Sequence, residues 1–185
     1  MRSRSKNMPI TVYHAITGRP MSEGQTIIMG GDNVNGVCER VRCFEQIERG
    51  EQVSGAIAEL IRADMDRWKK VARREQALER VRRAEFPQYP SRMACLYASR
   101  TKEEAITWAR FFMESGRDVY AVARLTVSGR VFTGDACNCF DGSGDAAADD
   151  ELARRYWRVE MTERPVFETL IDGEIVVSEI VESYK

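Results

Sequence analysis

One histidine, His14, is found in 185 residues, and this scarcity removes most histidine-dependent chemistry. Cys137 and Cys139 suggest a metal pair, but Cys38 and Cys43 are separated by four residues and no second histidine is available, so no metal site is expected. Five cysteines are an odd number without a regular framework, which fits a reducing compartment better than an oxidising one. Long apolar runs are missing too. No stretch approaches the length of a membrane span, and MRSRSKNMPI is followed by only a short strand run, so neither a membrane partner nor a secretory signal is expected and the reading is cytoplasmic. No internal repeat is visible. What remains is 43% apolar residues, enough to bury an ordinary core in one domain rather than a disordered tail.

Periodicity and turn residues divide the chain. Residues 1–9 read as a flexible basic arm, and 10–185 as a single domain. A strand at about 10–17 leads through a glycine-rich stretch containing one short apolar run, TIIM. Helices are expected at about 36–49 and 53–84, the second with apolar residues at Ile57, Ile61, Met65, Trp68 and Ala72. FPQYPSR stops it, because proline supplies no backbone donor and biases its predecessor to extended geometry. A strand at about 93–99 is followed by a helix with a threonine start and a glycine stop, TKEEAITWARFFMESG. VYAVARLTV and RVFTG around SG read as a hairpin, ELARRYW as a short helix, and VFETLI and EIVVSEIV around DG as a closing hairpin. The class is α+β, with a helical insertion at 36–84.

A net charge of −1 conceals a strong asymmetry. From Arg67 to Arg83 eight basic residues stand against Glu75 and Glu79, whereas Gly134 to Glu151 carries six acidic residues and no basic one. Arg73, Arg74, Arg82 and Arg83, with Trp68 and Tyr89 nearby, have the composition to track a phosphate backbone and stack a base. A solvated helix face or a dock for a protein such as an antitoxin explains the same charges.

Three polar residues interrupt strand-like runs. His14 in TVYHAIT shares a face with Val12 and Ile16 while Tyr13 points the other way, and Glu168 in PVFETLI shares one with Val166 and Leu170. A carboxylate there is costly unless paired, solvated in a cleft or used. Tyr97 lies in the third run, MACLYASR.

Laid side by side, VYHAIT, LYASRTKEEAITWA and VFETLIDGEIVV resemble, in order and spacing, the ADP-ribosyltransferase superfamily, on the branch with a His-Tyr-Glu triad. The likeness spans most of the chain through short, degenerate motifs. It is similar in layout to small rifamycin-modifying transferases, and from PVFETLIDGEI onward to DNA-modifying toxin transferases. It departs from the family in its longer helical insertion, and in Val166 two positions before Glu168, where arginine-modifying protein toxins place a glutamate or glutamine.

The resemblance implies a split β-sheet and NAD as substrate. His14 would hold the adenosine-side ribose by donating to its hydroxyls, with Thr17 nearby, and Tyr97 and Trp108 would sandwich nicotinamide. Glu168 would stabilise positive charge developing on the ribose carbon. Arg92 is a candidate contact for an NAD phosphate, set against plain surface solvation. Core packing alone also explains Trp108, and Glu179 is the rival catalytic glutamate. Asp135 is a candidate acceptor-holding residue, though loop aspartates are mostly turn formers. The expected function is an NAD-dependent ADP-ribosyltransferase, an intracellular toxin or phage-defence effector acting on nucleic acid, RNA ahead of DNA. Transfer to a protein or small molecule, and a silent binding module of the same fold, are the alternatives.

Overall fold

The structure, a computed structural model, describes residues 9–185, so the expected basic arm lies outside it but for its last residue. β1 (Ile10–Thr17) and β2 (Thr26–Met29) fall where the apolar runs place them. Three helices follow, α1 (Gly36–Glu48), α2 (Ala56–Ala63) and α3 (Met65–Glu85). One continuous helix was expected where α2 and α3 stand. The chain breaks at Asp64, whose backbone leaves the helical region (φ −151°, ψ 70°) and whose carboxylate accepts from the Arg67 N–H at 3.1 Å. An aspartate that captures a nearby backbone donor starts a new helix in preference to continuing the old one.

β3 (Leu96–Ala98) is shorter than the run suggested. The Asn35 amide donates to the carbonyls of Arg92 (2.7 Å) and Cys95 (2.9 Å), so these are bound before a neighbouring strand can reach them. α4 (Lys102–Glu114) starts at Thr101, which caps the Glu104 N–H, and stops before Gly116, where φ is 81°. Then come β4 (Val119–Ser128), β5 (Val131–Asp135), a 3-10 turn, α5 (Ala146–Trp157), β6 (Phe167–Ile171) and β7 (Gly173–Ser183).

The fold is mixed α+β with two antiparallel sheets, ordered β1-β4-β7-β2 and β3-β6-β5. Both expected hairpins are corrected by this order. β4 and β5 lie in different sheets, and so do β6 and β7. Instead β4–β5 runs antiparallel to β6–β7 as one long ribbon, paired at Ser128 with Glu174 on one side of a crease and at Val131 with Ile171 on the other. At the crease the Arg130 N–H donates to Asp172 Oδ1 (3.1 Å), and the Asp172 N–H donates to the Arg130 carbonyl (3.1 Å). A Cβ on Gly129 would fall 1.9 Å from the Asp172 carbonyl oxygen. The SG and DG pairs thus mark where strands change sheets, a role glycine serves by letting backbones approach.

Packing follows the two layers. Val12, Ile16, Leu125, Ile171, Ile175 and Val177 form one core, and Ala105 and Ala109 of α4 cover Val119 and Val122. On the second sheet Phe132 and Leu170 pack with Leu78 and Val81 of α3 and with Tyr156 and Trp157 of α5. α1, α2 and α3 close on Val41, Phe44, Ile61 and Ala72. Among the described residues no helix is long and apolar enough to cross a membrane.

Candidate functional site

His14, Thr17, Tyr97, Trp108 and Glu168, drawn from four elements, line one cavity of ≈ 410 Å³, within the size range of small-ligand sites. The two sheets meet beside it. Tyr13 and Ser99 exchange backbone hydrogen bonds at 2.8 and 2.7 Å, which sets β1 alongside β3. That bridge brings the His14 ring onto the Tyr97 backbone, with Nδ1 2.7 Å from the Tyr97 carbonyl oxygen.

A carbonyl only accepts, so Nδ1 carries the proton. Burial, outweighing that bond, lowers the His14 pKa to about 4, and the ring is neutral at pH 7. Nε2 is left as an acceptor. In place of the donor role expected of it, the neutral His14 ring offers a hydroxyl only an acceptor, Nε2.

Trp108 is held by an indole N–H bond to the Phe167 carbonyl (3.0 Å) and packs on Phe111 and Phe112. It lies half in the apolar face of α4 and half in the cavity wall beside the Glu168 strand. The Tyr97 hydroxyl donates to the Arg92 carbonyl at 3.0 Å, which fixes the ring from its far end.

Glu168 is 8% exposed and belongs to a buried polar cluster. Its Oε1 accepts from the Tyr156 hydroxyl (2.8 Å) and from Arg92 Nη1. Arg92, 6% exposed, also donates through Nε to Glu75 Oε2 at 3.0 Å, and Arg74 holds the other Glu75 oxygen. Burial opposes the charge on Arg92, but the anionic groups around it, Glu168 and Glu75 among them, raise its pKa well above the usual arginine range. Among the described residues every buried side-chain nitrogen and oxygen has a partner, whereas Glu168 Oε2 has no protein donor. Oε2 is therefore the accessible oxygen, on a side chain that lines the cavity. Cys139 Sγ lies 3.7 Å from Oε1.

Several expected residues sit elsewhere. Arg92 neither lines the cavity nor meets solvent, so it is a positioning residue for Glu168 in place of a phosphate ligand. Glu179 pairs with Arg124 at 2.9 Å on the partly exposed part of β7, away from the cavity lining. Asp135 is fully buried, accepting from Cys137, Thr162 and Val166. Burial raises its pKa but is outweighed by these bonds, which lower it to about 2; its work is structural.

The basic helix does not present a free cationic face. Arg82 is buried against Glu79, Arg74 is held by Glu75, and Arg73 donates to the Ser143 carbonyl (3.0 Å). Lys70 meets Asp141 and Arg80 meets Asp150, so the acidic loop and α5 neutralise much of α3. Tyr89 is packed against Phe132 and Trp157, and Trp68 against the α1–α3 core, so neither ring is placed to stack a base. Arg83 is the exposed member of the four, although it too contacts Glu79.

Sequence reasoning missed Tyr156, Glu75 and Asn35. Tyr156 and Glu75 lie on helix faces whose spacing signalled only packing. Asn35 lies in a glycine-rich turn, where it also caps the Val37 and Cys38 N–H groups.

The fold and the site together define an α+β domain with one mixed aromatic and polar cavity between two sheets. The family model that matches residues 12–183 is described as a protein of unknown function, DUF2441, and the chain belongs to that family. No curated protein matches it.

Proposed function

We propose that this protein is an NAD-dependent ADP-ribosyltransferase with an ADP-ribosyltransferase-like split sheet, and that it works inside the cell. The observation that supports this reading is the meeting of His14, Tyr97, Trp108 and Glu168, distant in sequence, in one cavity.

In the proposed reaction the bond between nicotinamide and ribose breaks, and its electron pair leaves with nicotinamide. Positive charge develops on the ribose carbon. Glu168, with Oε1 fixed by Arg92 and Tyr156, presents Oε2 to that charge, a carboxylate that need not reorganise during the reaction. Tyr97 and Trp108 supply flat surfaces for the pyridine ring and limit water access. His14 Nε2 accepts from a ribose hydroxyl, which orients the sugar. An acceptor nucleophile bonds to the ribose carbon and releases its proton to Glu168 or solvent.

The charge pairing on α3 leaves a nucleic-acid acceptor resting mainly on Arg83 and Arg67, both exposed. Incubation with labelled NAD and separate RNA, single-stranded DNA and protein fractions tests both parts. Release of nicotinamide with label on RNA or DNA is the expected outcome. Label on protein replaces the acceptor, and no nicotinamide release removes the transferase reading in favour of a silent binding module.

A further inference from the structure

The cavity has a second end that the triad does not use. Besides the triad it is lined by Gly36, Arg40 and Arg117. Arg117 donates to Thr17 Oγ1 at 3.3 Å and lies over the Phe112 ring, 4.3 Å from its centroid. Arg40 folds back over the first turn of α1: a Cβ on Gly36 would stand 3.4 Å from its Nη1. Among the described residues no carboxylate comes within ion-pair distance of either guanidinium, although most arginines of α3 and α5 have one.

Two like charges held together, one of them at the positive end of a helix, repel unless an anion joins them. Burial lowers the pKa of Arg117, and the nearby Arg40 charge adds to it. Thr17 lies three residues along β1 from His14, about 10 Å at the usual strand rise. Arg117 thus sits beside Thr17, over the Phe112 ring that packs on Trp108.

We propose that Arg40 and Arg117 form a two-arginine clamp for a diphosphate, one guanidinium to each phosphoryl group, at the Thr17 end of the cavity. Guanidinium groups grip phosphoryl oxygens in pairs, and the α1 N-terminus adds its dipole to the same anion. That the diphosphate belongs to a dinucleotide rests on the transferase reading; that the end binds a diphosphate rests on these charges alone.

Calorimetric titration with inorganic pyrophosphate, inorganic phosphate and NAD separates the two. Wild type is expected to bind pyrophosphate in competition with NAD, more tightly than phosphate and more weakly as salt rises. R40Q and R117Q should each weaken pyrophosphate and NAD binding about tenfold. R40K and R117K should recover part of the loss, because charge is kept while the paired geometry is not. Circular dichroism checks that the variants are folded. Pyrophosphate binding that is absent, equalled by phosphate, or unmoved in the doubly substituted R40Q/R117Q protein overturns the clamp, even if NAD is cleaved. Arginine-dependent pyrophosphate binding by a protein that ignores NAD upholds the clamp and removes the transferase reading instead.

Discussion

Replacing Arg92 with methionine tests whether the buried cluster holds Glu168. The substitution keeps much of the volume and removes the one cation that touches both Glu168 and Glu75. Glu168 would keep only the Tyr156 hydroxyl and a distant thiol, while Glu75, 1% exposed, would keep Arg74. Removing one partner of a buried ion pair costs about 3–5 kcal/mol. Two carboxylates lose a partner here, but one retains another arginine, so a loss of about 4 kcal/mol is expected at pH 7.5. With a urea slope of about 2 kcal/mol/M, the unfolding midpoint should fall by about 2 M. The pH dependence carries the mechanism. Arg92 is one of the charges that, against burial, hold the Glu75 carboxyl below its usual range, so without it Glu75 takes up a proton more readily and the deficit relative to wild type should shrink as pH falls from 7.5 toward 5. R92M/E168Q should recover part of the loss, because the uncompensated charge is gone. A deficit below about 1 kcal/mol, or one that acid does not reduce, would refute the reasoning.

Three further outcomes follow from the site and the crease. E168Q should lower nicotinamide release by roughly 10²–10³ while NAD binding persists, and E179Q should stay active; steady-state and single-turnover assays distinguish them. His14 has a native pKa of about 4, so as pH falls through about 6.5 the unfolded chain takes up its proton first. Stability should then decline down to about 4, by at most about 3 kcal/mol, in urea titrations of the wild type, and H14Q should lack this component. G129A should be destabilised by more than about 2 kcal/mol in thermal or urea unfolding, because its Cβ meets the Asp172 carbonyl; an unperturbed midpoint would mean the crease relaxes freely.

Legibility in the sequence followed the range of the forces involved. β1, α1 and α4 were readable because caps and apolar periods are local, as at Thr101 and Gly116. The face shared by Val12, His14 and Ile16 was readable for the same reason. The crease was not, since a glycine after a strand has the same local signature whether the chain folds back or crosses to another sheet. Only the pairing of Arg130 with Asp172, 42 residues apart, decides between them. The Glu168 position was legible as an oddity, a carboxylate in an apolar strand. Its partners were not, because Arg92, Glu75 and Tyr156 come from a loop and two helices whose docking is settled by tertiary packing. The basic helix misled for a related reason. Two of its counter-charges, Asp141 in a loop and Asp150 in α5, come some 70 residues later, so local charge counting saw a fully cationic face where the folded chain pairs much of that charge.

The creased ribbon and the Tyr13–Ser99 bridge together join the two walls of the cavity. His14 and Thr17 ride on one sheet, Tyr97 and Glu168 on the other, and the sheets are two halves of the same pair of strands bent at Gly129 and Gly173. A molecule reaching from Thr17 to Glu168 spans that bend as a strut spans a hinge. On the transferase reading, grip on an unreactive part of the ligand at the Thr17 side would then help align the bond to be broken beside Glu168.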